Sequence, residues 1–238
     1  MIMSLLDKPK PFRCSKPFKN VYQFRIALRG IKPLVWRRIQ VPGCYSFWDF
    51  HCAITDCFGW LDCHCHLFTL VNRKTGGTEY IGIPDEDGEG DLAGYATLPG
   101  WTKRISRYFT MENPAADYCY DFGDNWLHSV ILEAIMPREK GAAYPCCIAG
   151  KNACPPEDCG GVFGYEHFKK AISRPNDKEH DEFLKWVGGW FDPEWCDLRL
   201  IRFDDPDLRW DVAYEDEPAP KSMRQVQYHE MIHQAGQS

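Results

Sequence analysis

The stretch Val21-Tyr22-Gln23-Phe24-Arg25-Ile26-Ala27-Leu28-Arg29-Gly30 decides the fold class. Tyr22, Phe24, Ile26 and Leu28 alternate with Gln23, Arg25, Ala27 and Arg29, the two-residue period of a half-buried strand. Gly30-Ile31-Lys32-Pro33 turns the chain, and Leu34 to Val41 is a β-branched and aromatic run that should return as a hairpin. Ser46 then reads as a helix N-cap with Asp49 three residues on. Phe47, Phe50, Ile54 and Phe58 follow at helical spacing, and Gly59 suits the C-cap.

Further along, His64 to Asn72 reads as a strand with His64 and His66 on one face and Cys65 and Leu67 on the other. Thr78–Ile83 is expected to be another strand. The run from Pro84 to Asp91 is an acidic loop without the spacing or the closing Glu of a calcium loop. Tyr118–Phe122 and Trp126–Met136 form a hairpin around Gly123-Asp124-Asn125. Cys146 to Gly161 is rich in Pro, Gly and Cys and reads as a fixed loop. Tyr165–Ser173 and Lys178–Val187 read as short helices, and Leu198–Phe203 is the last apolar run. Strands first and helices late imply one α+β domain: a mixed or antiparallel sheet of five or six strands packed with a few helices. Residues 1–19 form a basic extension, 20–203 the domain, and 204–238 an acidic and then polar tail.

The whole chain has 238 residues, with 28 basic and 34 acidic side chains and 12 cysteines. Hydrophobic residues make up 44% and aromatics 14%, which excludes a mostly disordered chain. No run approaches the roughly 20 apolar residues of a membrane span. The opening apolar stretch is too short for a signal peptide, so a cytoplasmic protein with reduced thiols is expected. Residues 1–38 hold ten basic groups against Asp7 alone. Such a face on the first strands is either a phosphate-binding surface or simply a solvated edge.

Three clusters hold potential chemistry. In Cys63-His64-Cys65-His66, alternation separates the histidines from the cysteines, so one pair at most would share an ion. Cys147, Cys154 and Cys159 lie in the Pro- and Gly-fixed loop, where thiolates converge on zinc at about 2.3 Å. Zinc is the expected cofactor, with His128 or His66 as fourth ligand. The plain alternative is a loop of buried thiols acting as small hydrophobes. In the hairpin, Asp121, Asp124 and His128 are suited to hold a divalent ion or to act as general acid and base. Equally, Asp and Asn are ordinary turn residues. No nucleophile elbow, phosphate loop or dinucleotide fingerprint is present.

At these residues the chain resembles the plasmid pRiA4b ORF-3-like proteins. The likeness runs from Tyr22-Gln23-Phe24-Arg25-Ile26 through Trp36-Arg37-Arg38-Ile39 to Gly59-Trp60 and His64-x-His66-x-Phe68. It continues in Tyr120-Asp121-Phe122-Gly123-Asp124-x-Trp126-x-His128 and Cys154-Pro-Pro-Glu-Asp-Cys-Gly-Gly161, and it closes at Phe191-Asp192-Pro193. The resemblance implies an α+β domain associated with plasmids and transposable elements. It also implies site positions at His64, His66, Asp121, Asp124, His128, Cys147, Cys154, Glu157, Asp158 and Cys159. Cys63, Cys65 and Cys146 depart from the pattern.

Three functions follow as expectations. One is a zinc-stabilised module, with Cys147, Cys154, Cys159 and His128 on the metal, that recruits a protein partner. Another is a metal-dependent hydrolase or nuclease. The third is nucleic-acid binding through the basic strands.

Overall fold

A computed structural model describes residues 18–73, 75–84 and 96–214, with side chains described as far as residue 210. Eight strands form one sheet: β1 (Asn20–Leu28), β2 (Trp36–Pro42), β3 (His66–Val71), β4 (Thr78–Gly82), β5 (Thr97–Pro99), β6 (Ala115–Tyr120), β7 (Trp126–Pro137) and β8 (Cys146–Lys151). Their order is β5-β4-β3-β6-β7-β1-β2-β8. Only β4 and β5 pair in parallel, so the sheet is mixed. The expected five or six strands become eight because β5 and β8 were not foreseen. β8 carries two cysteines, Ala149, Gly150 and Lys151, a composition with little strand preference. Its pairing with β2, for example Trp36 opposite Lys151, supplies the ladder.

Among the described residues there are four α-helices: α1 (Phe47–Phe58), α2 (Gly161–Ile172), α3 (His180–Trp186), which packs on α2, and α4 (Pro206–Tyr214), which packs on α1. Local chemistry sets the ends of α1. The Ser46 side chain accepts from the Asp49 N–H, the Asp49 carboxylate accepts from the Ser46 N–H, and Gly59 closes the helix at φ 83°. Every residue of α1 is buried. One side presents Phe50, whose ring lies 4.5 Å from Phe24 on β1 and 5.7 Å from Phe68 on β3. Burying each such ring contributes about 1.5–3 kcal/mol.

The other side of α1 carries His51, Cys52, Thr55 and Asp56, and α4 covers it. Arg209 reaches Asp56 at 2.6 Å and Asp62 at 3.1 Å, while Trp210 packs edge-on against Trp48. Residues 206–214, which composition assigns to the tail, therefore form a helix docked on the domain. The acidic loop from residue 85, the tail beyond 214 and most of the basic extension lie outside the described residues. Among the described residues no helix is long and apolar enough to cross a membrane. Cys44 is disulfide-bonded, at odds with the expectation of reduced thiols throughout.

The basic strands spend much of their charge internally. Arg29 pairs with Asp117, and Arg38 forks onto Glu133. Arg37 is buried and donates to the carbonyls of Trp36, Cys57 and Lys151.

Candidate functional site

The β6–β7 turn and the loop after β8 meet at one end of the sheet. Asp121 leaves β6 in the left-handed region at φ 56°, and its carboxylate accepts from the Gly123 N–H at 2.8 Å. Asp158 is also left-handed, at φ 55°. Two non-glycine residues in this sparsely populated region are affordable because aspartate tolerates it, and such conformations collect at functional sites. Asp124 ties the two loops together by accepting from the Gly160 N–H at 3.1 Å. Gly161 makes this approach feasible: a Cβ there would lie 2.5 Å from the Asp124 carbonyl oxygen.

His64 lies in the bend before β3 and faces this junction. Its Nε2 is 2.8 Å from Asp158, 3.6 Å from Asp121 and 3.7 Å from Glu157. Among the described residues, His64, Asp121 and Asp158 are the group of three whose ligand atoms all lie within 4.8 Å of one another. Two ligands bound at 2.0–2.1 Å and a tetrahedral angle sit about 3.4 Å apart, so the 3.6 Å His64–Asp121 spacing suits an ion, while the 2.8 Å His64–Asp158 contact is a hydrogen bond that an ion would replace. Asp121 is buried at 6% exposure, whereas Asp158 is open, which leaves one side accessible.

Glu157 lies beside them, held by the Tyr120 hydroxyl at 2.7 Å and the Leu61 N–H at 2.7 Å. Burial raises its carboxyl, and these hydrogen bonds work in the opposite direction. Glu157 and Asp158 also line a cleft of about 400 Å³.

The other expected residues go elsewhere. His66 begins β3 and is buried, its ring stacked 3.5 Å from His51. The strand starts two residues later than alternation suggests, so the two histidines do not share a face. His128 is fully buried in a box of Phe58, Trp60 and Tyr118. Its Nδ1 lies 3.3 Å from the Tyr118 carbonyl oxygen, and burial pushes its imidazole down to about 3.

No three of Cys147, Cys154, Cys159 and His128 bring their ligand atoms within 4.8 Å of one another. The Cys147 thiol instead donates to the Ala149 carbonyl. Burial pushes Cys147 up to about 11 and Cys159 up to about 12, and it raises Cys154 as well. Cys63 is exposed, while Cys65 and Cys146 are half-buried.

A second polar group behind the site has no counterpart in the sequence reading. His51 bonds Asp62 at 2.6 Å through Nε2 and the Tyr118 hydroxyl at 2.8 Å through Nδ1. The available signal was a histidine within a helix rich in buried aromatics, which needs a buried partner.

A family model described as plasmid pRiA4b ORF-3-like protein matches residues 20–200. The uncharacterized protein y4hQ of Sinorhizobium fredii is 31% identical over 173 residues, covering 71% of this chain and 81% of that protein. A solved structure, a protein of unknown function, MM3350, from Methanosarcina mazei Go1, is 42% identical with a TM-score of 0.71. That match covers 78% of this chain and 99% of the other.

Proposed function

The chain belongs to the plasmid pRiA4b ORF-3-like protein family, and from that footing we propose that it is a divalent-metal protein with a hydrolytic centre at the end of its sheet. His64, Asp121 and Asp158 are the ligands in this reading, and zinc is the ion. One imidazole and two carboxylates suit a borderline divalent cation, and three protein ligands leave a position open, as catalytic zinc sites do. An ion there supplies Lewis-acid polarisation and an activated water. Glu157, 3.7 Å from His64 Nε2, stands where a general base would be needed. The observation that carries the reading is the convergence of His64, Asp121 and Asp158, the last of which also lines the cleft.

The zinc-stabilised interaction module draws less support, because its thiols do not meet His128. Nucleic-acid binding draws less as well, since Arg29, Arg37 and Arg38 already have partners. The family's name is that of a plasmid reading frame, and this supports placing the activity in plasmid biology. The test is hydrolysis of a panel of phosphoester, ester and peptide probes by protein stripped with chelator and reloaded with zinc. Turnover that needs the ion and disappears in His64→Ala is expected. Turnover that survives stripping would defeat the reading.

A further inference from the structure

The 400 Å³ cleft has the size of a small-molecule site. Its walls are aromatic. Trp60 lines the inner part, and Trp186, Trp190 and Trp195 come from the segment at and after α3. The rings of Trp190 and Trp195 stand at 87° with centroids 5.7 Å apart, forming a corner of two π-surfaces. Trp186 is 47% exposed at the rim.

The charges lining the cleft are unbalanced. Of the acidic groups on its walls, Asp56 is paired with Arg209 and Asp197 with Arg199, which leaves Glu157, Asp158 and Asp192 against Arg37 and Arg202. Both guanidiniums are engaged by backbone: Arg37 donates to three carbonyls, and Arg202 donates to those of Arg199 and Ile201. They therefore offer little to an anionic ligand. Asp192 accepts only a neutral donor, the Glu194 N–H, among its described contacts.

Aromatic faces combined with excess negative charge attract cations that shed water easily, because the ring quadrupole acts without directional hydrogen bonds. A primary ammonium or guanidinium would demand placed acceptors, whereas an alkylated ammonium needs only π-faces and diffuse negative charge. We propose that this cleft binds a small quaternary-ammonium compound. The inference goes beyond the metal site and does not require it.

The test uses the full chain in chelator, with choline and tetramethylammonium as probes, followed by tryptophan fluorescence and calorimetry. Saturable binding of both is expected, with 3,3-dimethylbutan-1-ol, the uncharged carbon isostere of choline, at least roughly tenfold weaker. Trp190→Ala should weaken choline binding on the order of tenfold, and Trp190→Phe should keep most of it. Absence of saturation by choline, or equal binding of the isostere, would overturn the proposal even if the alanine variant fails to fold. Because the ion is removed, failure here leaves the zinc reading standing, and failure of the zinc reading leaves this one standing.

Discussion

Replacing Arg209 by methionine keeps the length and apolar stem of the side chain but removes the charge between α4 and α1. In the native structure its guanidinium contacts Asp56 at 2.6 Å, Asp62 at 3.1 Å and Asp204 at 3.0 Å. The Asp56 and Asp62 side chains are 2% and 9% exposed, so water cannot take over the lost role, while Asp204 at 26% recovers more of its hydration. Stripping a buried carboxylate of its partner costs about 3–5 kcal/mol, and the exposed contact adds under about 1 kcal/mol. With a urea slope of about 2 kcal/mol per molar, the unfolding midpoint should fall by about 1.5–3 M.

Burial by itself would raise the Asp62 carboxyl, but His51 and Arg209 hold it below the usual carboxylate range. Its native value is depressed, so the stability it contributes is present above about pH 4 and disappears as pH falls towards the native value. The gap between wild type and Arg209→Met should accordingly narrow in acid. A midpoint shift under about 0.5 M at neutral pH would refute the claim that α4 belongs to the folded unit.

Gly161→Ala should lower stability by about 1–3 kcal/mol in thermal melts, because its Cβ would sit 2.5 Å from the Asp124 carbonyl oxygen at φ 66°. Tyr120→Phe removes a hydroxyl that donates to Glu157 and accepts the Cys63 N–H, and it should cost about 1–3 kcal/mol in urea unfolding. His128, held down to about 3 by burial, should show no titration between pH 7.5 and 4.5 by NMR. Unfolded imidazole titrates near 6.5, so the unfolded chain takes up the proton first. This group's share of stability is therefore complete above about pH 6.5 and shrinks by about 2.7 kcal/mol by pH 4.5.

How much the sequence reveals depends on how local the cause is. The ends of α1 were legible to the residue because Ser46, Asp49 and Gly59 act within one turn of it. The β6–β7 hairpin was legible for the same reason, its turn carrying Asp121 and Asn125 at positive φ. β8 was not legible, since its ladder comes from β2, more than a hundred residues earlier. The start of α2 was placed four residues late because a left-handed glycine at 160 replaces the usual polar cap. Glu157 and Asp158 were visible as polar residues of the loop, while His64 and Asp121 were read into strands. Their assembly was not visible, since it depends on where β3 begins and on the Asp124–Gly160 tie. The pairing of His128 with the cysteines erred through burial: an inward imidazole found an aromatic box in place of thiols.

The most direct test of the metal centre is calorimetric titration of chelator-treated protein with zinc, alongside His64→Ala, Asp121→Asn and Cys154→Ser. One ion per chain should bind, with affinity reduced on the order of 100-fold or more in the first two variants and retained in the third. Undetectable zinc binding, or binding that survives His64→Ala and Asp121→Asn but is lost in Cys154→Ser, would contradict the account.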